Sequence, residues 1–207
     1  WYFYDPCGVF EENSVWYAPD VVERILESRV EHEIACHSFS HVDFSRCSRE
    51  VARAEVRKCK ELAKEYDIEL LSFVFPKNRV GHLDVLWEEG FRVFRFKYAP
   101  PRYKTRVGKY ILPVLSPLTS SPLKISGLVG VPSILLFQSL GKLNVIRLEA
   151  AAIRGINRAV ERGEVFHISM HDFLESDALL SSLARILSYV SKLREQGKVD
   201  VLVLRDY

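Results

Sequence analysis

Leu70-Leu71-Ser72-Phe73-Val74-Phe75-Pro76 is a continuous apolar run of strand length stopped by a proline, the pattern of a strand covered on both faces, as in a parallel sheet. Just upstream, with Ser48 as N-cap, Val51, Ala52, Val56, Cys59, Leu62, Ala63 and Tyr66 fall on one helical stripe, with Arg, Lys and Glu opposite. Before that, Glu33-Ile34-Ala35-Cys36 reads as a short strand. Ala18-Pro19-Asp20 followed by Val21, Val22, Ile25 and Leu26 reads as a helix with proline in its first turn. Downstream, a short helix near 80–89 ends at Gly90, and Phe91 to Phe96 gives another strand. Residues 97–146 lose this rhythm. Pro100, Pro101, Pro113, Pro117, Pro122 and Pro132 break it, and only pieces such as Ile111-Leu112 and Ile134 to Phe137 stay strand-like, so the stretch reads as an irregular insertion. The rhythm resumes with a helix from about Arg147 to Arg162, a strand Val165 to Ser169, a helix from about Asp177 to Gln196 and a strand Val199 to Leu204. Such alternation predicts an α/β fold, a parallel sheet covered by helices, either open or closed into a barrel.

The 207 residues, 48% of them apolar, suffice for one domain or at most two small ones. Lys and Arg number 29 against 27 Asp and Glu, a net charge of +2, and they are scattered. A nucleic-acid binder would concentrate its positive charge on one face, so no nucleic-acid partner is expected. No uncharged apolar run is long enough to span a bilayer. The opening Trp1-Tyr2-Phe3-Tyr4 has neither initiator Met nor leader, which reads as a fragment and leaves secretion open. Cys7, Cys36, Cys47 and Cys59 share no C-x-x-C spacing. They read as mainly buried free thiols, which leans toward the cytoplasm. The ten glycines form no phosphate-binding loop.

Chemistry concentrates in the histidines. Among His32, His37, His41, His82, His167 and His171 are two pairs four residues apart, His37 with His41 and His167 with His171. On a helix, or in a turn leading into one, residues at that spacing share a face, so His37 and His41 could turn ring nitrogens toward one ion. His37 follows directly on the strand ending at Cys36, His171 on the one ending near Ser169, and Pro76-Lys77-Asn78 on the one ending at Phe75. In parallel α/β folds the carboxyl ends of strands are where sites are built. The plainer alternative is that these are structural histidines, and for His167, inside a strand, and His82, at a helix start bonded to backbone, it is the better one. Cys36 should point away from its neighbour His37 and is set aside as a ligand. Asp43 and Asp172 are the local carboxylate candidates.

His37-Ser38-Phe39-Ser40-His41, preceded by His32-Glu33-Ile34-Ala35-Cys36, resembles the H-[ST]-x-x-H signature of the polysaccharide deacetylase family, the NodB homology domain. Ser72-Phe73-Val74-Phe75-Pro76-Lys77-Asn78 resembles that family's third motif, and Phe166-His167-Ile168-Ser169-Met170-His171 its fifth. The similarity runs from about residue 16 to the end. It implies a distorted (β/α) barrel, here lacking its first βα unit, because the family's T-F-D-D motif has no counterpart. That motif supplies a metal-binding Asp and a general base. Val74 stands where the family has an arginine, with Lys77 as a substitute charge, although lysine lacks the bidentate fork. The fourth motif is not recognisable, and Asp172 stands where many relatives have proline.

The resemblance implies metal-dependent removal of N-acetyl groups from a carbohydrate or glycan substrate, an activity that would be lost or impaired in a chain without the first motif. His37 and His41 would ligate a divalent ion, zinc or else cobalt or nickel. His171 would be the catalytic acid. Pro76, Lys77 and Asn78 would bind substrate, backbone amides near Asn78 would meet the oxyanion, and Phe39, Phe75 and Phe173 would stack on sugar rings. The alternatives are a non-catalytic glycan-binding domain, or a deformylase or amidase acting on a lipid-linked sugar. A barrel short of one unit would expose strand edges and an apolar face, which makes an oligomer possible.

Overall fold

The computed structural model describes residues 19–97, 119–137, 142–171 and 176–207. Residues 1–34 and 35–207 form two compact units. In the first, helix α1 spans Pro19–Leu26, starting at its proline as expected, with Val21, Ile25 and Leu26 exposed.

In the second unit, α2 (Arg49–Lys64) begins where Ser48 accepts a hydrogen bond from the Val51 amide at 3.3 Å. Strand β1 is Ser72–Val74, α3 is Leu83–Glu88 and β2 is Val93–Lys97. They are followed by β3 (Leu123–Ile125), β4 (Leu128–Ser133), β5 (Leu135–Leu136), α4 (Lys142–Arg162), β6 (Ile168–Ser169) and α5 (Asp177–Glu195). One sheet has the order β1-β2-β4-β3, parallel except for the β3 edge, and a second pairs β5 with β6 in parallel. Cys36 adds a parallel bridge to Phe73. The parallel neighbours follow chain order, without the reversal of doubly wound sheets.

Alternation along the strands separates two faces. Phe73, Phe75 and Phe94 pack with Phe44 and Phe91 beneath α2 and α3, with ring centroids 4.8–5.8 Å apart. Against α4 and α5, Phe166, Ile168 and Met170 pack with Leu179, Ile186 and Leu193. Gly155 of α4 is required there, because a Cβ on it would lie 2.2 Å from the Phe166 ring. The residues between these anchors, Val74, Arg95, Val131 and Ser133 on one set of strands and His167, Ser169 and His171 on the other, turn to the opposite face. Ser133 and Ser169 join hydroxyls across it at 2.9 Å.

Four expectations need correcting. Residues 97–146 are not wholly an irregular insertion: β4 is an integral strand, in register with β2 from Val93↔Val129 to Lys97↔Ser133. Pro132 lies opposite Phe96 there; the Val129 amide bonds Arg92 O, so by alternation the proline turns its nitrogen away from β2 and no ladder bond is lost. Residues 199–203 form no strand, since a strand needs a neighbour and no described strand pairs with them. Val201 and Leu202 are exposed, and a 3-10 turn follows at Leu204–Asp206. Of Glu33–Cys36 only Cys36 pairs. Helix α4 starts at Lys142 rather than near Arg147, which brings buried Val145 onto the stripe with Ala152 and Ile156.

Candidate functional site

The strand at Cys36 ends because a side chain takes over its ladder. The Cys36 amide donates to Ser72 O at 2.9 Å and Val74 N donates to Cys36 O at 2.8 Å. The next acceptor, Val74 O, receives Nδ1 of His37 at 2.6 Å. A carbonyl oxygen only accepts, so Nδ1 carries the proton and Nε2 keeps its lone pair. Ser38 turns left-handed at φ 61° and sends its amide to the Cys36 thiol.

Of the two expected settings, a helix or a turn leading into one, the helix is excluded, because α2 begins only at Arg49. The two rings meet instead across a loop with left-handed backbone at Ser38 and His41 (φ 56°), their centroids 5.0 Å apart and their planes at 70°. Glu55 of α2 holds the loop: its carboxylate accepts the Ser40 amide at 2.7 Å and the Ser40 hydroxyl. Lys77 (φ 57°) and Asn78 (φ 54°) repeat the left-handed geometry after β1. Four of the seven described non-glycine residues with positive φ thus sit on these two loops, the placement expected of backbone strain at functional sites.

The other sequence candidates separate. His171, exposed just beyond β6, lies close enough to act electrostatically on His37, as does Arg95. Burial lowers the His37 pKa despite the open outer edge of the residue, and His41, Arg95 and His171 push it the same way, against the Val74 carbonyl. Asn78 accepts from Arg95 Nη2 at 3.3 Å; Lys77 is exposed and Pro76 is buried beneath the turn. The Asn78 and Arg79 amides donate to Phe75 O and Pro76 O, which corrects their expected role toward an oxyanion. Phe75, 1% exposed within the aromatic core, cannot stack on a sugar, whereas Phe39 is 53% exposed between the two histidines. Asp43 is engaged by Ser45 and Arg79; the Ser45 hydroxyl, foremost, holds its carboxyl below the usual range. Cys36 faces Cys59 on the helix side, and that thiol contact together with burial pushes its own pKa up, keeping it protonated. His82 caps α3 and bonds Cys47 O at 2.9 Å. Asp172 and Phe173 lie outside the described residues.

No protein-family model matches the chain, and no curated protein does.

The donor set fits a divalent ion through two imidazoles. Two rings bound to one tetrahedral zinc at Zn–N of about 2.0–2.1 Å have centroids roughly 5 Å apart, as His37 and His41 have. A metal-bound histidine ordinarily gives its other ring N–H to a carbonyl or carboxylate, as His37 gives its own to Val74. Among the described residues no group of three His, Cys, Asp or Glu side chains surrounds one point. The parts unforeseen in the sequence are Glu55 and Arg95.

His167 supplies a pH prediction. Burial, with Arg95 adding to it, pushes its imidazole down to about 4. The unfolded chain takes up that proton near about 6.5, so the folded state loses stability as pH falls from there toward about 4, by at most about 3 kcal/mol. Urea unfolding at pH 7 and pH 5 should therefore show a smaller drop for His167→Gln than for the parent. An equal drop would mean that the imidazole is solvated in the folded state.

Proposed function

We propose that this chain carries the site of a metal-dependent carbohydrate N-deacetylase of the polysaccharide deacetylase type, on a sheet that is an arc of a (β/α) barrel. The observation that carries the reading is the His37 Nδ1–H bond to Val74 O at 2.6 Å. It leaves Nε2 free beside the His41 ring, at the carboxyl end of parallel strands. His37 and His41 would hold the ion, and the Glu55 grip on Ser40 fixes the loop between them. When bound, a divalent ion such as zinc polarises an amide carbonyl and acidifies a water. His171, on the facing strand end, gives its proton to the departing sugar nitrogen, since an amine leaves poorly unless protonated. Phe39 offers an exposed ring to a sugar face.

The direct test is acetate release from chitooligosaccharides by the full-length protein with zinc or cobalt added. Release that disappears with a chelator and returns with metal is expected; none under any metal would overturn the reading. A glycan-binding domain without turnover is the second reading, favoured by the engagement of Asp43 with Ser45 and Arg79 instead of the histidines. Sugar binding without acetate release would select it.

A further inference from the structure

Arg95 differs from its peers. Arg49, Arg53, Arg57, Arg79 and Arg185 each pair with a carboxylate at the surface. Arg95 is half-buried on the face opposite the aromatic core, and among the described residues no carboxylate pairs with it. Among the described residues its side-chain hydrogen bond is to Asn78 Oδ1. Its Nε is buried with no hydrogen-bond partner, and so is Nδ1 of His167, on which Arg95 acts electrostatically. A buried charge without a counter-charge is strongly unfavourable, and nothing in the aromatic core or the helix layer depends on this one.

The position is equally specific. Arg95 is in register with Val74 on the neighbouring parallel strand, and Val74 O is the acceptor that orients His37. Partners in a parallel ladder lie about 4.8 Å apart and point their side chains to one face. The guanidinium therefore stands on the same face as, and beside, the paired imidazoles. It reaches toward the Asn78 turn on one side and toward His167 on the other.

We propose that Arg95, with Asn78 and His167, forms an anion subsite next to the paired histidines that takes the carboxylate of an acidic N-acylated sugar. The inference rests on the deacetylase reading for the identity of the sugar, but not for the presence of the anion. A guanidinium offers a planar fork that matches a carboxylate in two parallel bonds. Asn78 occupies one of the outer nitrogens and steers the fork. His167 adds no charge of its own, so apart from an ion on the paired histidines the subsite offers the single charge of Arg95, one counter-charge for one carboxylate. Phe39 and the two histidines then bound the space in which the sugar ring and its N-acyl group would lie.

The test is calorimetric titration of the zinc-loaded chain with N-acetylmuramic acid and N-acetylglucosamine, which differ by one lactyl carboxylate. The acidic sugar is expected to bind about 10-fold more tightly or better, the worth of a charge-assisted bond. Arg95→Gln should remove that preference and Arg95→Lys should keep part of it. Equal affinity for the two sugars in the parent chain, a comparison that needs no variant, would show that only solvent meets Arg95 and would overturn the subsite. A preference that survives Arg95→Gln would overturn it as well. A preference present in the parent and lost in Arg95→Gln, without acetate release from either sugar, would uphold the subsite and defeat the deacetylase reading alone. Acetate release that falls equally for both sugars in Arg95→Gln, without discrimination in binding, would assign Arg95 to the reacting centre instead.

Discussion

Phe73→Ala is expected to lower the unfolding free energy by about 3–5 kcal/mol. Phe73 is 0% exposed, and its ring centroid lies 4.9 Å from that of Phe44, 4.8 Å from Phe75 and 5.7 Å from Phe91. Truncation removes the transfer free energy of the ring and leaves a cavity lined by rings in edge and tilted packing, each pair worth an additional increment of about 0.5–1.5 kcal/mol. These neighbours are anchored on the loop before α2, just past the end of β1 and in the turn between α3 and β2, so they cannot collapse together into the space. Phe73 also carries the backbone bridge to Cys36, so the variant should loosen the strand end that precedes His37. Phe39→Ala, at an exposed loop position, should stay within about 0.5 kcal/mol of the parent. Urea unfolding at neutral pH separates the two. A loss below about 1 kcal/mol for Phe73→Ala would mean that the aromatic cluster is not the centre of this unit.

His171→Ala is expected to reduce the rate of acetate release by about 10²–10⁴-fold, the usual worth of a general acid, while leaving zinc uptake intact. The two readouts should separate because His171 sits just beyond β6 and not on the loop that carries His37 and His41. In His37→Ala both should fall together, since the ring supplies the free Nε2 and its loss also frees Val74 O. Zinc content after dialysis, measured beside acetate release, checks both variants. Unchanged release in the two would remove these residues from the chemistry, and zinc loss in His171→Ala would make it a ligand instead of an acid.

Helix α2 was legible because its signals agree locally: Ser48 caps it and the apolar stripe has one phase. The strand at Ser72–Val74 was legible as an apolar run closed by Pro76. By contrast, β4 was hidden, since Gly130 and Pro132 are strand breakers in isolation. Only the packing of Phe94 over Gly130, where a Cβ would come within 2.9 Å of the ring, shows why the small residue belongs. The opposite error arose at Val199–Leu204, whose composition suits a strand while its surroundings provide no ladder.

In the site, the two histidines were legible from spacing, but the reason for that spacing was not. A helix or a turn leading into one was expected, and a bent loop ahead of α2, pinned by Glu55, holds the pair. Nothing distinguishes Glu55 in sequence, as it lies among Arg53, Arg57 and Lys58 on what reads as a solvated helix. Arg95 did leave a trace. In Phe94-Arg95-Phe96 it interrupts an apolar strand expected to be covered on both faces, and a charge at that phase is a signal worth following.

The division of each strand between a core-facing and a site-facing set makes the molecule tolerant of one kind of change and intolerant of another. Side-chain exchanges within either set alter packing or chemistry separately. Inserting or deleting a single residue between Cys36, held by Ser72 and Val74, and Ser38 would do neither in isolation. It would take the His37 ring off the Val74 carbonyl and out of phase with the site-facing set, so length polymorphism should be far rarer at this spot than substitution.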